Sequence, residues 1–241
     1  MTYRLYNRPG SGGFVVEAAL ALAEAPFELV ELASRAGTPL EENFREINPW
    51  GQLPTLVLPD GSIMTETAAI LIHLAACFPE KNLAPLPGTF AHGKFLRWMV
   101  FASVNLYEAV LRAGYPERFT TDPEAEAATT AAAVARMGEA LAVLEQAIDP
   151  GPFLLGDDMS LVDVYIAMLF SVVPGRDRRT APHRTEERRH REPHCHAHLA
   201  ATLRRPLAGR WKTIFRIRIW FVFVILANAG IHTEMQVNWN S

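Results

Sequence analysis

The sequence contains few cysteines, and they form no motif. Of its 241 residues only two are cysteines, Cys77 and Cys195, and they lie far apart in the chain. A disulfide framework or a cysteine-based zinc site would need several closely spaced cysteines, so neither is expected. We therefore expect a protein that works in the reducing cytoplasm.

Long apolar segments are also missing. The run Ile219–Ala227 stops after nine residues, whereas a membrane-spanning helix needs about twenty. At the N-terminus, Tyr3–Tyr6 is followed at once by Arg8-Pro9-Gly10 rather than by the apolar core of a signal peptide. We expect no membrane association and no secretion. A composition of 49% hydrophobic and 20% charged residues is typical of a globular protein.

Charge is distributed unevenly along the chain. Residues 1–173 contain 10 Lys+Arg and 21 Asp+Glu, whereas residues 174–241 contain 13 and 5. This abrupt change indicates a boundary at Val173-Pro174, where helical periodicity also stops. We expect residues 174–241 to form an anomalous basic tail that is disordered or frame-shifted. Enrichment in Arg, His, Pro and Ala is what out-of-frame translation of a GC-rich gene gives.

The tail shows no motif for nucleic acid or metal. The Arg-rich run at 176–191 lacks the interleaved aromatic residues that nucleic-acid sites usually have. His190, His194, His196 and His198 surround Cys195 without the paired spacing of tetrahedral metal sites. We therefore expect no nucleic-acid partner and no metal.

The first part of the chain, residues 1–78, alternates strand and helix signals. Strands are predicted at 3–6, 27–32, 55–58 and 62–64, and helices at 14–25, 40–47 and 66–77. The resulting order, βαβαββα, is that of a thioredoxin-like domain. The sequence therefore predicts an α+β fold for this part.

The second part, residues 89–173, shows only helical signals. Helices are predicted at about 89–114, 123–148 and 161–172. Ser160-Leu-Val-Asp163 has the spacing of a helix N-terminal capping box, with Asp in place of Glu. We predict an all-helical domain that is incomplete at its C-terminal end if the tail is foreign to it.

The stretch Asn48–Thr67 carries the clearest signs of a binding site. Leu53-Pro54 is a candidate cis peptide bond, which would leave the backbone groups of Leu53 free to pair with an extended ligand. A helix begins at Glu66-Thr67, where unpaired N–H groups favour a carboxylate and the Glu66 carboxylate can take an ammonium. One end of the ligand is therefore expected to be an amino acid.

The segments Asn-Pro-Trp-Gly-Gln-Leu-Pro at 48–54 and Thr-Glu-Thr at 65–67 resemble the glutathione-binding motifs of cytosolic glutathione S-transferases. The resemblance covers residues 3–80 well and 90–173 more loosely. It implies a bacterial-type transferase that takes glutathione as co-substrate, needs no other cofactor, and conjugates a small apolar electrophile. It also implies a homodimer, which the residues alone do not show.

The resemblance also indicates which hydroxyl activates the glutathione thiol. Ser11 follows the first strand and precedes the first helix, where serine-type and cysteine-type members place the activating residue. A plain helix-capping role for Ser11 is compatible with this. Tyr6 is the alternative, since tyrosine-type members place the hydroxyl near the end of this strand. Gly12 stands where one bacterial subgroup has cysteine, so thiol exchange through the protein is not expected.

Further binding residues follow from the same comparison. Glutathione is expected to contact Gln52, Leu53, Pro54, Glu66, Thr67 and Arg35, with Arg8 as a further cation. The apolar electrophile is expected to meet a wall formed by Trp98, Phe101 and Tyr107, with Asn105 as a weaker candidate. Two other functions stay open at this point: a non-catalytic interaction module, and an inactive remnant with a disrupted second domain.

Overall fold

The structure is a computed structural model that describes residues 2–8, 11–32, 44–148 and 151–171. The tail predicted at residues 174–241, with its histidine cluster, lies outside the described residues. The same is true of Arg35.

Four strands form one mixed sheet. They are β1 (Tyr3–Asn7), β2 (Phe27–Glu31), β3 (Thr55–Val57) and β4 (Ile63–Met64). The strand order is β2-β1-β3-β4, with β1 and β2 parallel and the other two pairs antiparallel. The parallel pair requires a crossover, which the intervening helix provides. The predicted strands are therefore confirmed, each to within about a residue or two.

Three helices accompany the sheet: α1 (Phe14–Leu22), α2 (Phe44–Ile47) and α3 (Thr67–Cys77). Helices α1 and α3 pack against each other, and their apolar residues join the core with β1 and β3. Leu5, Leu20, Leu56, Ile70 and Leu74 are fully buried there. The observed order is the predicted βαβαββα, so the thioredoxin-like prediction is confirmed.

The second domain contains α4 (Phe90–Phe101), α5 (Glu108–Gly114), α6 (Glu126–Ile148) and α7 (Leu161–Ser171). The sequence predicted one helix over 89–114, but a π-helical turn, Ala102–Tyr107, separates α4 from α5. Such turns insert a residue into the helical ladder and occur frequently at functional sites. Helix α7 contacts α1, α3 and α4, so it joins the two domains.

Helix α6 shows the predicted apolar stripe. Val134, Met137, Leu141, Leu144 and Ile148 are all buried, and the helix packs mainly on α5. Within the described part of the chain, only the stretch Pro123–Ile148 is long and apolar enough to pass a membrane-span test by length and composition. Because its apolar stripe forms part of the core, α6 is explained as a core helix.

The predicted capping box also forms, at the start of α7. The Asp163 carboxylate accepts hydrogen bonds from the backbone N–H groups of Leu154 (2.8 Å) and Ser160 (2.9 Å), and from the Ser160 hydroxyl (2.9 Å). Both Ser160 and Asp163 are buried. The box therefore ties the loop before α7 to the helix, which is the structural role predicted for it.

Candidate functional site

A small open cleft lies between the sheet's loops and the second domain. Its lining residues come from the loop after α2, the start of α3 and the π-helical turn: Asn48, Trp50, Gln52, Leu53, Pro54, Thr65, Glu66, Thr67 and Tyr107. Five of the six residues predicted to bind glutathione therefore line one cleft. The sixth, Arg35, lies outside the described residues.

The loop between α2 and β3 is held by Asn48, which is 4% exposed. Its side-chain amide donates to the backbone oxygen of Gln52 (2.9 Å) and to the Thr55 hydroxyl (3.1 Å), and its amide oxygen accepts the Trp50 N–H (3.1 Å). Asn favours such turns because its side chain reaches the backbone two residues on. This buried amide fixes the segment that leads to Leu53.

The Leu53-Pro54 peptide bond is cis, which confirms the prediction. Leu53 is half-buried and Pro54 is buried. Both residues line the cleft, as do Glu66 and Thr67 at the start of α3.

Helix α3 begins at Thr67, with Glu66 as its N-cap residue. No side chain within the described ranges caps this end, and Glu66 has φ 63° and ψ 103°. A non-glycine residue with positive φ costs about 1–3 kcal/mol and is often found at ligand sites. The first N–H groups of α3 and the exposed Glu66 carboxylate therefore both lie at the cleft.

Asn7 is the last residue of β1 and is buried. Its side chain organises the first loop. The Ser11 hydroxyl hydrogen-bonds to the Asn7 side-chain oxygen and accepts the Gly13 N–H at 3.1 Å. A β-carbon at position 13 would lie 2.0 Å from that same oxygen, so only glycine fits there. Ser11 therefore stabilises the loop before α1, and Gly13, not Ser11, is the N-cap of that helix.

Tyr6, the alternative activating residue, points elsewhere. Its ring packs against Phe44 with the centroids 5.8 Å apart, and its hydroxyl lies within hydrogen-bonding reach of the exposed Arg4. It does not line the cleft. Arg8 is half-buried at the start of the first loop. Its charge acts on Tyr107, so it lies near the cleft as a candidate cation.

The predicted wall for the second substrate is only partly assembled. Trp98 is buried, packs edge-on against Phe101 with the centroids 5.3 Å apart, and is covered by Arg97. Neither ring lines the cleft, because both belong to the core contacts of α4. Asn105 accepts a hydrogen bond from Arg136 at 3.0 Å and is therefore engaged away from the site.

Tyr107 does line the cleft. Its ring packs edge-on against the buried Tyr165, with the centroids 6.5 Å apart. Burial raises the pKa of Tyr107, and the nearby charges of Tyr115 and Glu66 act in the same direction. The side chain therefore keeps its proton and can act as a hydrogen-bond donor near neutral pH.

The structure thus brings together most of the residues predicted for the site. Sequence reasoning missed Asn7 and gave no role to Asn48 and Thr65. An inward-facing polar residue at the end of β1 was a usable signal for Asn7, and the Asn-Pro turn for Asn48. Across the described ranges, no three His, Cys, Asp or Glu side chains come close enough to hold a metal ion.

A thioredoxin-like domain with a cis-proline cleft, joined to a helical domain, defines the two-domain class to which glutathione transferases belong. Residues 15–77 match the family described as glutathione S-transferase N-terminal domain, and residues 127–201 match the corresponding C-terminal domain family. The chain belongs to the glutathione S-transferase family.

Individual relatives agree with this assignment. The uncharacterised GST-like protein YncG of Escherichia coli K12 is 30% identical over 177 residues, 72% of this chain and 83% of that protein. Glutathione S-transferase GstA of Escherichia coli O157:H7 is 23% identical over 164 residues, covering 68% and 78%. A solved glutathione transferase homologue from Sulfitobacter, with glutathione bound, has a TM-score of 0.67 at 22% identity and covers 96% and 99%. This last similarity shows the fold alone.

Proposed function

We propose that the protein is a glutathione transferase that binds glutathione in this cleft and joins its sulfur to a small apolar electrophile. One observation carries the proposal. The uncapped start of α3 and the backbone edge at Leu53 face the same cleft, together with the exposed Glu66 carboxylate. These groups complement an amino-acid end followed by an extended peptide, which is the chemistry of glutathione.

The arrangement suggests one orientation for the ligand. The γ-glutamyl carboxylate meets the first N–H groups of α3 and the Thr67 hydroxyl, and its ammonium meets Glu66. The cysteinyl backbone pairs with Leu53, next to Gln52. The thiol then points toward the first loop and Tyr107. The glutathione bound to the Sulfitobacter homologue supports this choice of ligand.

We propose glutathione as co-substrate with no further cofactor, a homodimer as the assembly, and the cytoplasm, where glutathione is plentiful, as the location. Arg35 is kept as a candidate contact of glutathione. We also propose that the residues beyond about 173 form a basic tail.

A second candidate is a glutathione-binding module without transferase activity. Trp98 is buried and Phe101 is half-buried against the core, which favours this candidate, because neither ring lines the cleft as the apolar wall expected for an electrophile. The two candidates differ only in catalysis, so binding and turnover must be measured separately.

Calorimetric titration with glutathione tests the proposal. We expect saturable one-site binding, weakened about tenfold or more by Glu66→Ala because a charge-assisted hydrogen bond is lost. Glu80→Ala, at an exposed acid outside the cleft, is the matched control and should bind like the wild type. Thioether formation with a small aromatic electrophile then separates the transferase from the binding module. Absence of binding by the wild type contradicts both.

A further inference from the structure

Tyr107 occupies an unusual position between the cleft and the first loop. Its side chain lines the cleft beside Glu66 and Thr67, while a β-carbon placed at position 12 would lie 3.0 Å from its hydroxyl oxygen. The hydroxyl therefore fills the space into which a side chain at position 12 would project. Glycine at position 12 leaves this space open for a group from the second domain.

The surroundings of Tyr107 hold its hydroxyl in this place. The residue ends the π-helical turn that separates α4 from α5, and its ring contacts the fully buried ring of Tyr165 on α7. Met168, also on α7, approaches the same point above Gly12 at 3.7 Å. Two elements of the second domain, the π-helical turn and α7, thus hold the phenol beside the first loop.

The predicted activating residue is less available. The Ser11 hydroxyl hydrogen-bonds to Asn7, whose side-chain oxygen can only accept, so the Ser11 proton is committed to that bond. The Ser11 oxygen in turn accepts the Gly13 N–H. To donate to a ligand, Ser11 would have to give up the bond that holds its own loop.

We propose that Tyr107 is the catalytic residue that donates a hydrogen bond to the sulfur of bound glutathione, while Ser11 positions the loop. This inference rests on the proposed function. The thiol loses its proton to water, and the thiolate keeps the Tyr107 hydrogen bond. The thiolate then attacks the electrophilic carbon, a C–S bond forms, and the leaving group departs with the electron pair of the broken bond. Tyr107 remains protonated throughout.

The direction of the effect follows from general electrostatics. A hydrogen bond to the ionised form lowers the pKa of the group that accepts it. The bond from a buried neutral phenol to a thiolate should lower the thiol pKa by about one to two units. A positioning role for Ser11 would not move this pKa directly.

The test is the pH titration of the ultraviolet thiolate absorbance of glutathione bound to the wild type and to Tyr107→Phe. We expect the bound thiol to titrate about one to two pH units higher in Tyr107→Phe. At pH values below the thiol pKa, kcat/KM of Tyr107→Phe should be about tenfold to a hundredfold lower than that of the wild type. Tyr3→Phe, the same change at a β1 residue outside the cleft, is the control and should titrate like the wild type.

Affinity for S-methylglutathione, which has no thiol, shows whether the pocket of each variant is intact. Gly12→Ala provides a second variant that keeps the phenol but displaces its hydroxyl, and it should shift the titration in the same direction by less. If Tyr107→Phe binds S-methylglutathione and titrates like the wild type, the inference is overturned while the proposed function stands. If the wild type binds neither ligand, both are overturned.

Discussion

Helices α7 and α3 both begin next to an acidic residue, but one of these carboxylates is buried and the other is exposed. At the start of α7, the buried carboxylate of Asp163 accepts three hydrogen bonds from Leu154 and Ser160. At the start of α3, Glu66 adopts positive φ, caps nothing with its side chain and is exposed at the cleft. The start of α7 finds its acceptors within the protein, whereas no side chain of the described residues caps the start of α3.

The difference shows how the same backbone chemistry serves two purposes. Every helix start has N–H groups without intrahelical acceptors. At α7 the Asp163 box supplies acceptors in the protein interior, and burial still raises the pKa of Asp163 against these donors. At α3, Glu66 has a locally unfavourable positive φ and no side chain within the described ranges caps the helix, and we propose that its donors stay accessible for glutathione.

The largest effect on stability is expected at the start of α7, where Asp163 accepts hydrogen bonds within the protein. Asp163→Ala leaves the two N–H groups and the Ser160 hydroxyl buried without an acceptor. We expect a loss of about 3 kcal/mol in the free energy of unfolding. Thermal denaturation should show a Tm lower by about 6–12 °C. Asp157→Ala, at an exposed acid in the preceding loop, should leave Tm within about a degree. Equal effects of the two changes would contradict the structural role of the box.

The next largest effect on stability is expected at the start of α1. Gly13→Ala places a methyl group 2.0 Å from the Asn7 amide oxygen, so it should cost about 1–3 kcal/mol by overpacking. Gly93→Ala lies in α4 with no atom within 4 Å of the added carbon, and should stabilise by about 0.5–1 kcal/mol. Urea titration of both variants checks the contrast. A neutral Gly13→Ala would rule out the Asn7-centred loop.

The smallest effect on stability is expected at the start of α3, where Glu66 has positive φ. Glu66→Gly relieves the positive φ and should stabilise the fold by about 1 kcal/mol while weakening glutathione binding. Asn82→Gly, at another exposed positive-φ residue outside the cleft, should leave binding unchanged. Urea titration and calorimetry on the same preparations report the two quantities. Loss of stability in Glu66→Gly would contradict the view that this conformation is held for the ligand.

Much of this comparison was predictable from the sequence, because its signals are local. The spacing of Ser160 and Asp163 predicts the capping box, and Leu53-Pro54 with Glu66-Thr67 predicts the open site. Strand alternation and helical periodicity predict the order of elements for the same reason. Helix caps and turns depend on residues only a few positions away in the sequence.

The remaining features depend on contacts between distant residues. Sequence periodicity places Trp98 and Tyr107 on one helix, but a π-helical turn interrupts that helix between them. Trp98 is buried in the core, whereas Tyr107 lines the cleft. The contact of Tyr107 with Gly12 joins positions 95 residues apart in numbering, and no local pattern reports it. Of the three residues predicted for the second substrate, only Tyr107 lines the cleft.

The central claim is that glutathione binds at the open start of α3 and not elsewhere. It is tested most directly by following the backbone amide resonances of the labelled protein during titration with glutathione. The account predicts large, saturable shifts at Leu53, Glu66 and Thr67, and none at Ser160 or Asp163. Saturable shifts confined to other parts of the chain, or no shifts at millimolar glutathione, would contradict it.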